Sequence, residues 1–175
     1  EDVAVDFGAG KAYVVDSSLN ALLTVNLNDG SRSILSDATT GTGLQLVTPR
    51  GLVLDGANNR FLVSVAGQDA LVAIDRTSGN RTVLSRVEQG TGDIKFDSTN
   101  GIALDLDNSR ALVIDGGRDA LISVDLDTGN RTVLSNDLGV GSAAEKFGTP
   151  RSVILNHSGE RVYISDSTND HIVLV

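Results

Sequence analysis

Residues 123–136 read "SVDLDTGNRTVLSN", residues 73–86 read "AIDRTSGNRTVLSR" and residues 24–37 read "TVNLNDGSRSILSD". The glycine of this phrase recurs as Gly30, Gly79 and Gly129, at intervals of 49 and 50 residues. The polar residue ahead of the preceding apolar run recurs as Asn20, Asp69, Asp119 and Asp170, at intervals of 49, 50 and 51. The segment "VYISDSTNDHIVLV" at 162–175 is therefore a fourth copy, which stops before the phrase. A period of this length marks an architecture in which each copy buries its faces against its neighbours.

Each copy holds short apolar runs separated by turn residues. In the third they are "GIALD" from Gly101, "RALVID" from Arg110, "ALISVD" from Ala120 and "RTVLS" from Arg131. They are parted by "LDNS", "GGRD" and "LDTGN", whose Gly, Asn and Asp suit tight hairpin turns. The runs are rich in Val, Ile and Leu with little alternation, as expected of strands covered on both faces. The predicted fold is therefore all-β, a β-propeller built from four-stranded blades of about 50 residues. The blades fall at 1–36, 50–85, 100–135 and 151–175, the last without its outer strand. Their inner strands are expected to start at Val3, Leu52, Ile102 and Val153. A solenoid of stacked β-turns is the structural alternative, although it favours shorter coils and fewer hairpins.

The chain of 175 residues is thus read as a single propeller domain or a half-propeller, with 40% hydrophobic residues to fill its core. Aromatic residues make up 3%, which leaves that core to Val, Leu, Ile and Ala. A net charge of −9 and the lack of any basic run argue against nucleic acid or an anionic membrane as partner. No apolar stretch approaches the length of a membrane span. Cysteine is absent, which removes disulfides, thiolate metal sites and cysteine nucleophiles from consideration. Asn80, Asn130 and Asn156 head Asn-X-Ser/Thr triplets, but they sit in expected turns where Asn is favoured anyway.

The stretch "ALVIDGGRDALISVDLDTGNRTVL" resembles the YWTD repeats of LDL-receptor-type propellers, and "VYISDSTNDHIVLV" resembles an NHL repeat. Both types belong to a wide group that includes the SMP-30/gluconolactonase-like enzymes. On that resemblance the tetrads are "YVVD" ending at Asp16, "ALVID" ending at Asp115 and "YISD" ending at Asp166. Val65 takes the place in the second blade, where any tie made by the aspartate is lost. The Trp of the YWTD tetrad and the companion cysteine module are missing. The resemblance therefore implies an exported prokaryotic relative of the NHL/SMP-30-like group, located extracellularly or in the periplasm.

In a meander blade the B–C loops and the D-to-A connectors share one rim of the disc. Here that rim carries "SSLN", "AGQD", "GGRD" and "STND" with long connectors at 37–51, 86–101 and 136–151. Long loops on a rigid scaffold are where binding normally resides. Arg50, Asn100 and Arg151 enter the inner strands near the channel mouth, and Asp16, Asp115 and Asp166 recur by blade on the same rim. These six are the candidate ligand-binding residues. The apolar connector residues Leu44, Leu46, Ile94, Phe96 and Phe147 are read first as plugs between blades.

The three aspartates suggest either a calcium site, which needs several converging oxygens, or a structural brace in which each carboxylate accepts hydrogen bonds from its own B–C loop. The brace is favoured, because ligands converge whereas these recur. "DLDNS" at Asp105 and "DLDTGN" at Asp125 lack the glutamate that closes an EF-hand loop. His157 and His171 fall on opposite rims, so a serine triad or a two-histidine zinc site is not expected. The expected function is a noncatalytic scaffold that binds a protein or small-molecule ligand through its long-loop rim, with no required cofactor. The alternative is a metal-dependent lactonase of the SMP-30-like type or its degenerate relative, using Asn100 and strand-end aspartates.

The first copy begins at an inner strand and the fourth ends at a third strand, so no strand is spare to close the ring. Exposed blade faces would then drive self-association, as a two-fold dimer completing one ring, unless further repeats of a longer chain cover them.

Overall fold

A computed structural model describes residues 1–92, 94–138, 140–141, 146–156 and 158–175, and its fifteen strands form four antiparallel sheets. Blade 1 contains β1 (Asp2–Asp6), β2 (Lys11–Asp16), β3 (Ala21–Asn26) and β4 (Arg32–Ser36). Blade 2 contains β5 (Pro49–Asp55), β6 (Arg60–Val65), β7 (Ala70–Asp75) and β8 (Arg81–Ser85). Blade 3 contains β9 (Thr99–Asp105), β10 (Arg110–Asp115), β11 (Ala120–Asp125) and β12 (Arg131–Asn136). Blade 4 has three strands, β13 (Pro150–Leu155), β14 (Val162–Asp166) and β15 (His171–Leu174). Each sheet is a meander in sequence order, so the molecule is a four-bladed β-propeller whose last blade has three strands among the described residues.

The turn residues that marked the hairpins adopt the backbone such turns require. Asn20, Asp69, Asp119 and Asp170 precede their third strands at φ of 46–51°, a left-handed conformation that Asn and Asp tolerate. Gly30, Gly79 and Gly129 hold φ of 71–74° in the C–D turns. The inner strands of blades 2 to 4 begin at Pro49, Thr99 and Pro150, earlier than predicted, because each pairs across a register shift with the strand that follows. Close packing of neighbouring inner strands accompanies that shift. A Cβ on Gly51 would lie 2.5 Å from Asn100 O, and one on Gly101 would lie 2.7 Å from Ser152 Cα.

The core is three clusters, one in each gap between successive blades. Alternate residues of one strand face opposite gaps, which is why the runs are apolar throughout. Leu62 and Leu71 of blade 2 face blade 3, whereas Phe61, Val63 and Val72 face blade 1. Leu22, Leu71 and Leu121 are fully buried at equivalent third-strand sites, one per cluster. The connectors insert into the same gaps. Leu46, Phe96 and Phe147 are buried at 1%, 5% and 5% exposure, with Leu44 and Ile94 packed beside them. These apolar residues thus plug the gaps between blades, as the sequence led us to expect.

Between blades 4 and 1 no such gap is sealed among the described residues. Val3, Val5 and Ile34 on the outward face of blade 1 are 56%, 41% and 45% exposed. Ile154, Ile172 and Leu174 on the outward face of blade 4 are 61%, 69% and 56% exposed. Leu52 and Leu121, the repeat equivalents of Val3 and Ile172, are buried at 5% and 0%.

Candidate functional site

Register fixes which residues reach the channel. Pro49 pairs with Val65 and Pro150 with Asp166, which places Arg50 and Arg151 on the rim of the B–C loops. Gly79 and Gly129 lie on the opposite rim, where Arg76 N donates to Asn59 O at 3.1 Å and Leu126 N donates to Ser109 O at 2.9 Å. The four inner strands surround a cavity of about 200 Å³. Glu1, Arg50, Asn100 and Arg151 line it as one equivalent position per blade, and Asp2, Gly51, Gly101 and Ser152 line it as the next.

Arg50, Asn100 and Arg151 are therefore brought together. Arg50 Nη1 donates to Asn100 Oδ1 at 2.9 Å, and Asn100 Nδ2 donates to Pro150 O at 3.2 Å. Arg151 is exposed, and its Nε reaches Ser167 Oγ at 3.3 Å. Asp2 Oδ2 accepts the Leu52 N–H at 2.8 Å, tying blade 1 to blade 2 at the cavity wall. Glu1 accepts from Ser17 Oγ at 2.7 Å; that bond and the adjacent terminal amine hold its carboxyl below the usual range. The cavity thus offers guanidinium, carboxamide and carboxylate groups within one small volume.

The three tetrad aspartates do not join this cavity lining. Asp16 Oδ1 accepts Ser18 N and Leu19 N at 2.8 and 2.9 Å. Asp115 accepts Gly117 N and Arg118 N on one oxygen and Asp97 N on the other. Asp166 takes Thr168 N and Asn169 N from its own loop and Gly148 N and Thr149 N from the incoming connector. Each carboxylate braces its B–C loop, and the latter two also clamp the connector. At Val65 the carboxylate tie is absent, and the connector is held by Ala66 N to Thr48 O and Gly67 N to Val47 O, main-chain bonds that recur in blade 3 as Gly116 N to Ser98 O and Gly117 N to Asp97 O.

The two clamps differ electrostatically. Burial pushes Asp115 up to about 6, against the lowering effect of the Asp97, Arg118 and Gly117 N–H groups, and the Asp97 carboxylate adds to the rise. Burial also opposes ionisation of Asp166, but N–H groups from Gly148, Asn169, Thr149 and Thr168 outweigh it and hold the carboxyl below its ordinary value.

Asp105 and Asp125, singled out in calcium-like loops, serve turns. Asp105 binds Asn108 Nδ2 and Arg110 Nε, and Asp125 accepts from Thr128 N and Oγ1. Among the described residues no group of three or more His, Cys, Asp or Glu is placed to hold a metal ion. His171 opens β15, with Nδ1 3.1 Å from Asn169 O. His157 lies outside the described residues.

What sequence reading missed is the purpose of the repeated phrase. Arg81, 6% exposed, extends over the preceding connector, and its Nη1 donates to Ser36 Oγ, Asp37 O and Thr40 O at 2.6, 2.7 and 3.0 Å. Arg131 repeats this with Ser85 Oγ, Arg86 O and Gln89 O at 2.6, 2.9 and 3.1 Å, and lies over the Phe96 ring. The serine of one copy therefore holds the arginine of the next. Recurrence of both residues in "NRTVLS" was the available signal. The αL residues add a second tie, with Asn20 Oδ1 accepting Thr48 N and Asp69 Oδ1 accepting Ser98 N, both at 2.8 Å.

Fold and site together define a β-propeller with a polar channel-mouth cavity. Comparison with solved structures supports that class. A chain in the crystal structure of a nidogen/laminin complex matches with a TM-score of 0.76 at 20% identity, over 99% of this chain and 57% of that one. A Bacteroides thetaiotaomicron protein of unknown function matches with a TM-score of 0.74 at 19% identity, over 97% and 45%. An auxiliary nutrient binding protein from the same organism matches with a TM-score of 0.69 at 10% identity, over 95% and 46%. The chain spans about half the length of these structures. No protein-family model matches it, and no curated protein does. No helix among the described residues is long and apolar enough to cross a membrane.

Proposed function

We propose that this chain is a noncatalytic binding propeller of the NHL/YWTD-like kind, with its ligand held at the channel mouth by Arg50, Asn100 and Arg151. The observation carrying the proposal is that one equivalent position in every blade contributes to a single cavity, and that two of those positions are arginine. Guanidinium groups favour carboxylate or phosphate oxygens, which they bind through paired N–H donors. The proposed ligand is therefore a small molecule or protein segment bearing an anionic group, and its binding needs no cofactor. The plugged state of the connectors shifts the contact surface from the loops to the cavity they frame. Export to the periplasm or the extracellular space belongs to the same proposal and rests on the repeat resemblance. The nutrient-binding and nidogen/laminin neighbours support a binding use of the fold.

Thermal unfolding in the presence of a panel of carboxylates and phosphates tests this. A ligand at 100 times its Kd should add about 2.7 kcal/mol of stability. That gain should vanish in an Arg50→Ala/Arg151→Ala variant. If no compound stabilises the protein, or the double variant responds as the parent does, the cavity is not the binding site.

Self-association is a second proposal, carried by the exposed end faces. Val3 on one end and Ile154 and Ile172 on the other occupy positions that inner blades bury, as Leu52, Ala103 and Leu121 show, and Val5, Ile34 and Leu174 extend the same end faces. Blade 4 of one copy can thus receive blade 1 of a second by the same packing, and two such contacts close a two-fold ring. Light scattering should give twice 18.2 kDa at micromolar concentration. A monomer there rejects the dimer and leaves the cavity proposal untouched.

A further inference from the structure

The Asn100 carboxamide is seated against the B–C loop of its own blade. A Cβ on Gly116 would collide with Asn100 Nδ2. Blades 1, 2 and 4 carry Ser17, Ala66 and Ser167 at this position, each with a Cβ. Blade 3 alone leaves the space open, and the carboxamide fills it. From there Asn100 Oδ1 accepts from Arg50 Nη1 at 2.9 Å, so the placement of the loop reaches the channel-mouth cavity through two contacts.

Asp115 places that loop. Its Oδ1 accepts Gly117 N and Arg118 N at 3.2 and 3.1 Å, and its Oδ2 accepts Asp97 N at 2.7 Å from the connector leading into β9. Gly116 N to Ser98 O at 3.0 Å and Gly117 N to Asp97 O at 2.8 Å bind loop and connector to each other. Loop, connector and carboxamide therefore form one unit around a single carboxylate that is 0% exposed. Three N–H groups pointing at two oxygens match the ionised carboxyl, which only accepts; a protonated one must also donate.

The charged neighbours of Asp115 are few. Asp97 faces it from the connector and disfavours its charge, and the Arg118 guanidinium of the loop lies 3.8 Å from Asp97. Asp119 ends the same loop, and Asp69 of blade 2 accepts the Ser98 N–H at 2.8 Å. Its partners on the adjacent strands, Thr99 and Ala120, carry no charge. Directly paired residues have their side chains on one face of the sheet, about 4.5–5.5 Å apart at Cβ. Thr99 is fully buried and its hydroxyl has no hydrogen-bond partner among the described residues, so an unused acceptor stands beside Asp115 for the protonated form. Burial raises Asp115 to about 6, whereas Asp166 is lowered and Val65 cannot titrate. Of the three positions that carry the loops beside Arg50, Asn100 and Arg151, one therefore changes charge near neutral pH.

We infer that Asp115 is a positioning residue for the channel-mouth site: ionised, it holds Asn100 and through it Arg50 in place, and protonation releases the connector N–H and lets both side chains shift. This names a regulation of the proposed anion site and rests on that reading, although the seating of Asn100 is measurable without ligand.

Nitrogen-15 NMR of the full chain, free of ligand, tests the seating. The Asn100 side-chain amide and the Arg50 guanidinium signals should titrate together with the Asp115 carboxyl, at about 6. In Asp115→Asn they should stay fixed over the same range, and in Asp166→Asn they should titrate as in the parent. Sulfate, whose own charge is constant over this range, then reads the consequence. The ratio of its affinity at about pH 7.5 to that at about pH 5 should be about fivefold larger in the parent than in Asp115→Asn. Asn100 signals that do not move with Asp115, or that move equally in Asp115→Asn, overturn the inference. So does a sulfate ratio no larger in the parent, which would leave only repulsion between Asp115 and the anion. If sulfate binds at neither pH while Asn100 follows Asp115, the positioning role stands and the anion-binding reading falls. If Asp115→Asn does not fold, the parent titration decides, by whether Asn100 and Asp115 share one midpoint.

Discussion

Arg131 Nη1 donates to Ser85 Oγ at 2.6 Å, and the same serine hydroxyl donates to Gly129 O at 2.7 Å, so one hydroxyl fastens two points of the next blade. The same arrangement joins Ser36 to Arg81 and Gly79. Removing a buried guanidinium strands several acceptors at once, and hydrogen bonds to charged groups are worth about 1.5–3 kcal/mol each. Arg81→Ala and Arg131→Ala should each cost about 3 kcal/mol or more in urea unfolding. Lysine should recover little, because it lacks the planar fork that spans the cradle. Arg32 occupies the same repeat position but is exposed, so Arg32→Ala should stay within about 0.5 kcal/mol. Similar losses at Arg32 and Arg131 would show that the buried contacts of Arg131 contribute nothing.

The glycines of the repeated phrase separate backbone strain from packing. Gly30 and Gly79 hold nearly equal φ, +72° and +71°, but a Cβ on Gly30 meets nothing within 4 Å whereas one on Gly79 meets Leu35 O at 2.0 Å. Gly30→Ala should cost about 1–2 kcal/mol from the left-handed conformation alone. Gly79→Ala should cost clearly more, since blade 2 must shift away from blade 1. Equal costs in calorimetry would mean the blades do not meet as closely as described.

Titration should distinguish two carboxylates at equivalent positions. Asp115 has a folded value raised from 3.8 to about 6. Its contribution to stability is therefore complete below pH about 4 and is lost as pH rises through about 6, on the order of 3 kcal/mol by linkage. Asp166 is shifted downward, so its contribution is present above about 4 and is lost as pH falls through its lower folded value. Carbon-detected NMR of the two side-chain carboxyls checks this. An Asp115 midpoint below 4 would mean that its backbone donors outweigh burial.

Each gap between blades should respond to loss of its third-strand leucine. Leu22, Leu71 and Leu121 are all 0% exposed and belong to the first, second and third cluster respectively. Truncation to alanine should cost about 2–5 kcal/mol at each. A loss under about 1 kcal/mol at all three, measured by urea denaturation, would place these side chains outside the core.

Much of this was legible because each blade is local. Hairpin strands lie within about fifty residues of one another, and their turns depend on nearby Gly, Asn and Asp, so "RALVID" and "ALISVD" coincide with β10 and β11. Placing Arg50 and Arg151 on the rim of the B–C loops followed from strand alternation alone. The connectors were harder to read. Their apolar residues pointed to plugs, but Gly-rich composition gave no depth of insertion, and only the gaps beside Leu46, Phe96 and Phe147 set it. The brace formed by Asp115 and Asp166 was readable as a recurring position, but their opposite shifts were not, since these depend on how many N–H groups converge on each oxygen.

The sequence alone determined the repeat, its strands and its all-β class, because period, turn chemistry and unbroken apolar runs are properties of neighbouring residues. Tertiary structure decided what the repeated phrase is for. Ser85 and Arg131 are separated by 46 residues of chain, and only the packing of blade 3 against blade 2 brings the guanidinium into the preceding connector. The same packing brings Arg50, Asn100 and Arg151 to one cavity. A single strand cannot encode such a meeting; the angle at which twisted sheets stack around a channel sets it.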